Sequence, residues 1–122
     1  GRAGRNVGGG RVVVVGAGTG NPYFTTDTAA AQRAVELDCD VLLKATMVDG
    51  VYDADPKTHP GAVLLPDLSF AEVLQRKLRV MDQTAFALCQ ENDLPLVVFN
   101  MEASDGVVRA AHGENVGTLI HN

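Results

Sequence analysis

Apolar positions along the chain fall into short β-branched runs separated by longer stretches with helical spacing. Arg11 to Val15 is a run that ends in glycines, the pattern of a strand buried on both faces. A loop follows from Gly16 to Thr26. Asp27 or Thr26 is placed to cap a helix reaching about Leu37, with Ala30, Ala34, Val35 and Leu37 on its apolar side. Cys39 to Lys44 reads as a second buried strand centred on Val41, Leu42 and Leu43. Asp49-Gly50 signals a turn, Asp55-Pro56 to Gly61 a second loop, and Ala62 to Leu65 a short apolar run. Ser69 is predicted to cap a helix through about Lys77, and Asp82 to start another that reaches Glu91. Pro95 to Asn100 is a third strand, Ser104 to Ala111 a short helix and Gly117 to Ile120 a last strand. Such alternation predicts an α/β layered architecture, its sheet mostly parallel and its helices on both faces.

The 122 residues fit one domain. With 46% hydrophobic and 20% charged residues, the composition is that of a soluble globular chain with a sizeable core. The apolar stretch from Val12 to Ala17 is far too short to span a bilayer and no export signal is evident, so a cytoplasmic protein without a membrane partner is expected. Cys39 and Cys89 are far apart without metal-type spacing, which predicts two reduced, buried thiols. His59, His112 and His121 are expected on the solvated surface. The net charge of −5 disfavours nucleic acid as a partner. Any phosphate must therefore be held by local backbone amides rather than by the overall field. Residues 1–10, half of them glycine, read as a linker or a frayed terminus, leaving 11–122 as the folded part.

Chemistry concentrates in Gly16-Ala17-Gly18-Thr19-Gly20-Asn21-Pro22-Tyr23-Phe24-Thr25-Thr26-Asp27, between a strand and a helix. Open α/β sheets bind ligands at such places, where glycines permit close backbone approach and helix-start amides suit an anion. The spacing matches neither a dinucleotide fingerprint nor a P-loop, so glycine count alone leaves a tight turn and a phosphate cradle both open. Asp49, Asp53 and Asp55 do not follow the order of a calcium loop.

Ala17 to Asp27 closely resembles the UMP-binding segment of bacterial UMP kinases. Lys44-Ala45-Thr46, Val48-Asp49-Gly50-Val51-Tyr52 with Asp55-Pro56, Leu78 to Asp82 with Thr84-Ala85, Pro95 to Asn100, and Gly113-Glu114 with Gly117 to Ile120 continue the likeness in order over positions 11 to 120. The resemblance implies a three-layer α/β/α sandwich of the amino acid kinase type, of which this chain is expected to be the C-terminal half. It implies phosphoryl transfer from ATP to UMP in pyrimidine nucleotide biosynthesis, with Mg²⁺ on the ATP phosphates, a homohexamer when intact, and GTP and UTP as effectors. The chain alone is expected to be weakly active or inactive.

On the same resemblance, Thr19, Gly20, Asn21, Pro22, Tyr23, Phe24, Thr25 and Thr26 surround UMP, with Pro22, Tyr23 and Phe24 serving either the ligand or the packing of the loop. Asp27 stands near the transferring phosphoryl group, with helix capping as its rival role. Thr46, Tyr52 and Asp55 contact ATP; without the resemblance, Tyr52 reads as a packing residue and Asp55 as a turn former. Position 47 is Met47, where many relatives are polar or basic. Lys44 is expected at a strand end facing the presumed nucleotide cleft, where it could touch phosphate, but strand-end lysines usually reach solvent and it is left out of the site. Asp82 either shapes the UMP region or caps its helix. A competing expectation is a nucleotide- or oxyanion-binding relative that lost catalysis, which would not need both nucleotide sites. A kinase of carbamate or an amino acid is disfavoured by the Gly-Thr-Gly-Asn-Pro run.

Overall fold

A computed structural model of the chain describes residues 11–16, 26–55, 57–102 and 117–122. The glycine-rich head, the loop residues Thr19 to Thr25, Pro56, His112 and the helix expected over 104–111 lie outside the described residues. In chain order the elements are β1 (Val12–Gly16), α1 (Asp27–Glu36), β2 (Val41–Thr46), β3 (Val51–Tyr52), β4 (Leu64–Leu65), β5 (Asp67–Ser69), α2 (Phe70–Gln75), α3 (Gln83–Glu91), β6 (Leu96–Asn100) and β7 (Thr118–His121).

The main sheet has the order β1-β2-β6-β7-β5. The β1-β2, β2-β6 and β5-β7 pairs are parallel, whereas β7 runs antiparallel to β6. The sheet is therefore mixed but mostly parallel, as expected for an α/β chain. A separate ribbon pairs β3 with β4, Val51 opposite Leu65 and Tyr52 opposite Leu64. The apolar run expected from Ala62 thus contributes only its last two residues as strand.

Strand alternation divides the apolar residues between two clusters. Val15, Leu42, Leu96, Val98 and Ile120 join the buried faces of the three helices. Val41, Leu43, Ala45, Val97 and Phe99 form a second cluster from the alternate positions of β2 and β6. Among the described residues all three helices contribute to the first cluster; the expectation of helices on both faces rested in part on residues 104–111. Helix α1 buries only alanines (Ala30, Ala31, Ala34), and its small side chains suit close packing against the sheet and α3. Phe70 of α2 meets Phe86 of α3 edge to face at 5.1 Å, a favoured aromatic geometry. Cys39 and Cys89 are buried and form no disulfide with each other, and burial, aided by the negative charge of Asp27, pushes the Cys89 thiol up to about 11.

Each helix starts on a side-chain cap. Thr26 accepts from the Ala29 N–H, Ser69 and Glu72 form a reciprocal capping box, and Asp82 accepts from the Ala85 N–H. Each also ends the same way. A left-handed residue (Asp38, Lys77 or Asp93, φ 53°, 56° and 52°) is followed by an apolar one whose N–H returns to the carbonyl five positions back. These bonds run from Cys39 to Ala34, Leu78 to Val73 and Leu94 to Cys89. The reversal at Lys77 ends α2 at Gln75, before the expected limit.

The reversal at Asp38 has a larger consequence. Asp40 takes the Arg11 N–H on its carboxylate and donates its own N–H to the Arg11 carbonyl, so the β1-β2 ladder begins at Val12 opposite Val41. Strand β2 is accordingly shifted two residues from the expected Cys39–Lys44. Lys44 lies inside it, in register with Val15 and Val98.

Candidate functional site

The carboxyl ends of β1, β2 and β6 point the same way, and α1 begins at that end. Open parallel sheets place ligands there. Of the residues expected around a bound nucleotide, Thr26, Asp27, Thr46, Tyr52 and Asp55 are described; Thr19, Gly20, Asn21, Pro22, Tyr23, Phe24 and Thr25 lie outside the described residues.

Thr26, not Asp27, caps α1, its hydroxyl oxygen accepting the Ala29 N–H at 3.1 Å. Asp27, the first helical residue, is thereby free to direct its carboxylate elsewhere. Its Oδ2 accepts from Lys44 Nζ at 2.8 Å, and the two side chains are 21% and 15% exposed. Lys44 does not reach solvent as expected. Leu42, Lys44 and Thr46 alternate onto the helix-covered face, so the ammonium emerges beneath α1, where it also donates to the Val80 carbonyl at 2.6 Å. Desolvation makes an unpaired ammonium costly, and these two acceptors offset it.

A second tie runs alongside. Thr28 of α1 donates to Asp82 Oδ1 at 2.8 Å, and the same oxygen takes the Ala85 N–H at 2.8 Å. Asp82 therefore caps its helix and also fastens α3 to α1. The Ala85 amide, together with Thr28 and Lys44, holds its carboxyl below the usual carboxylate value.

Next to Lys44 opens a cleft of about 620 Å³ lined by Thr46, Tyr52 and Asp55, all from the end of β2 and the stretch that follows it, and on the facing side by Arg76 to Val80. Lys44, Arg76, Lys77 and Arg79 supply cationic groups to its lining, against the carboxylates of Asp53 and Asp55. In a chain of net charge −5 this is a local excess of positive charge, suited to a polyanion. Thr46 pins the turn after β2: its hydroxyl accepts the Val48 N–H at 3.1 Å and lies 2.8 Å from the Val48 carbonyl. Asp55 accepts the Lys57 N–H at 2.9 Å and so is a turn former as well as a cleft residue. Tyr52 reaches the cleft from β3, half-buried. His59 is exposed, and His121 is also at the surface as expected, its ring 39% exposed and 2.7 Å from Asp67.

Sequence reasoning missed Lys44 and the basic lining from Arg76 to Arg79. The signal for Lys44 was present: a lysine within Val-Leu-Leu-Lys-Ala, two positions after a core leucine, sits on the core-facing row of a strand.

Both the sequence and the fold are similar to those of known proteins. Residues 6–100 match the model of the Amino acid kinase family. The chain is 52% identical over 121 residues to a uridylate kinase of Corynebacterium efficiens, covering 99% of this chain and 50% of that one. The chain thus spans about half the length of this curated relative. Crystal structures of UMP kinase from Bacillus anthracis and Ureaplasma parvum superpose with TM-scores of 0.74 each, at 32% and 33% identity. They cover 91% and 92% of this chain, and 58% and 60% of theirs. Uridylate kinase from Archaeoglobus fulgidus matches 82% of this chain and 48% of its own, at TM-score 0.66 and 35% identity. With the family model matched over most of its length, the chain belongs to the amino acid kinase family.

Proposed function

We propose that this chain contributes both nucleotide sites of a UMP kinase, which transfers the terminal phosphoryl group of ATP to UMP and yields ADP and UDP. The observation that carries this reading is the convergence of Thr46, Tyr52 and Asp55 on a cationic cleft whose lining Lys44 joins to Asp27. The names of the similar proteins support it. ATP occupies the cleft, with Tyr52 beside the base and the basic residues near the phosphates. UMP occupies the side of Asp27 that leads to the Thr19–Thr26 segment. Phosphoryl transfer demands alignment and charge neutralisation more than covalent chemistry. Mg²⁺ enters with ATP as part of the substrate. Asp27 organises the cations around the transferred group, a role supported by its bond to Lys44.

The test is ADP release from ATP, Mg²⁺ and a nucleoside monophosphate, measured on the full-length enzyme. UMP is expected to be phosphorylated in preference to CMP and AMP, and Asp27→Asn to lower kcat by about 100-fold. Parental turnover by Asp27→Asn, or equal use of AMP, would overturn the reading. The 122 residues alone are expected to turn over slowly or not at all.

A further inference from the structure

Lys44 has a place in β2 that stability alone does not explain. Its neighbours in register are Val15 and Val98, both buried, and the residue two before it, Leu42, is core. An apolar side chain would fill that row without the desolvation cost of an ammonium, and replacement of a buried charge pair by apolar residues is often neutral or stabilising. The ammonium instead spans two elements that no strand or helix connects directly. One acceptor is the Asp27 carboxylate at the head of α1; the other is the Val80 carbonyl, in the segment between α2 and α3 that lines the cleft.

We propose that Lys44 is a positioning residue for phosphoryl transfer, locking the Asp27 carboxylate in one orientation and registering it against the main chain that lines the ATP cleft. The proposal rests on the UMP kinase reading. Its physical basis is the division of labour between the two ties at this point. Thr28 and Asp82 hold α1 to α3 whether or not Lys44 is charged. Loss of the ammonium therefore frees the carboxylate to rotate while the helices stay in place. The expected defect is one of alignment, felt in the rate of transfer more than in nucleotide affinity.

The experiment is steady-state kinetics on the full-length enzyme, with ATP and UMP varied separately, for the parent, Asp27→Asn, Lys44→Met and the double variant. Lys44→Met, close in volume to lysine, is expected to lower kcat about 30-fold or more while both KM values stay within about threefold. The double variant should be no more than about threefold slower than the slower single variant, because both substitutions remove one unit. Lys44→Arg, which keeps the charge, should recover at least about tenfold of the loss. Should Lys44→Met not fold, Lys44→Gln takes its place with the same expected non-additivity. The proposal is overturned by parental kcat in Lys44→Met while Asp27→Asn is slow, by losses that multiply in the double variant, or by a defect confined to the KM for ATP. Asp27→Asn with parental kcat would remove the underlying reading and the proposal with it, an outcome told apart from failure at Lys44 alone by the first of these variants.

Discussion

The hydroxyl of Thr118, fully buried at the start of β7, accepts the Val51 N–H at 2.8 Å and reaches the Leu65 carbonyl at 2.5 Å. One side chain thus satisfies a main-chain group from each strand of the β3-β4 ribbon and joins that ribbon to the main sheet. Thr118→Val keeps the shape and leaves both groups without this partner. A destabilisation of about 2–3 kcal/mol is expected in urea unfolding, against near-neutrality had the hydroxyl been idle. Gly50 fits the same contact: a Cβ there would lie 2.6 Å from Thr118 Oγ1. Gly117 is constrained more severely, since at φ +66° a Cβ would meet the Val98 carbonyl oxygen at 2.0 Å. None of these long-range contacts has a signature in local sequence, whereas the caps at Thr26, Ser69 and Asp82 do, because a cap and its amide are three residues apart.

At the scale of elements, the helices were legible to within a residue or two for that reason, and β1 and β6 were legible as β-branched and apolar runs. What failed was pairing. Strand β5 has three residues with no pattern of their own and exists through its bonds to β7. The start of β2 depends on Asp40 meeting Arg11, twenty-nine residues away, and the two-residue error there hid Lys44. Antiparallel β7 likewise cannot be read from Gly117 to Ile120 alone. In the candidate site, Asp27, Thr46, Tyr52 and Asp55 were named through family resemblance; the last three line one cleft, and Asp27 is tied to it through Lys44. Two substitutions test the helix ends. Ser69→Ala removes the capping box of α2 and should cost about 1 kcal/mol. Lys77→Gly relieves a left-handed non-glycine residue and should add about 0.5–1 kcal/mol, both read from urea midpoints.

For the molecule as a whole, the pairing of β5 with β7 carries a pH-sensitive contact. His121 Nε2 lies 2.7 Å from Asp67 across the two strands. The imidazole is held above its ordinary value of 6.5, first by its bond to the Asn122 carbonyl and then by Asp67, with Glu72 adding a smaller effect. A raised histidine stabilises the fold fully below 6.5, and the contribution is lost as pH rises through the folded value. Both groups are substantially exposed, at 39% and 64%, so solvent screening limits the effect to under about 1 kcal/mol. The full-length protein should therefore lose a little stability as pH rises above 6.5, and His121→Asn should flatten that slope; an unchanged slope would assign it to other groups. The opposite sign holds for Asp82, whose lowered value stabilises above 3.8 and is lost as acid protonates it.

The bond from Lys44 to position 80 ends on a peptide oxygen rather than on a side chain. Whatever amino acid occupies position 80 presents the same acceptor, so point changes there do not sever the link. Insertions and deletions are another matter, because they move the oxygen itself. The link to Lys44 therefore constrains the length of this stretch, while the packing of Leu78, Val80 and Met81 against the core constrains its side chains.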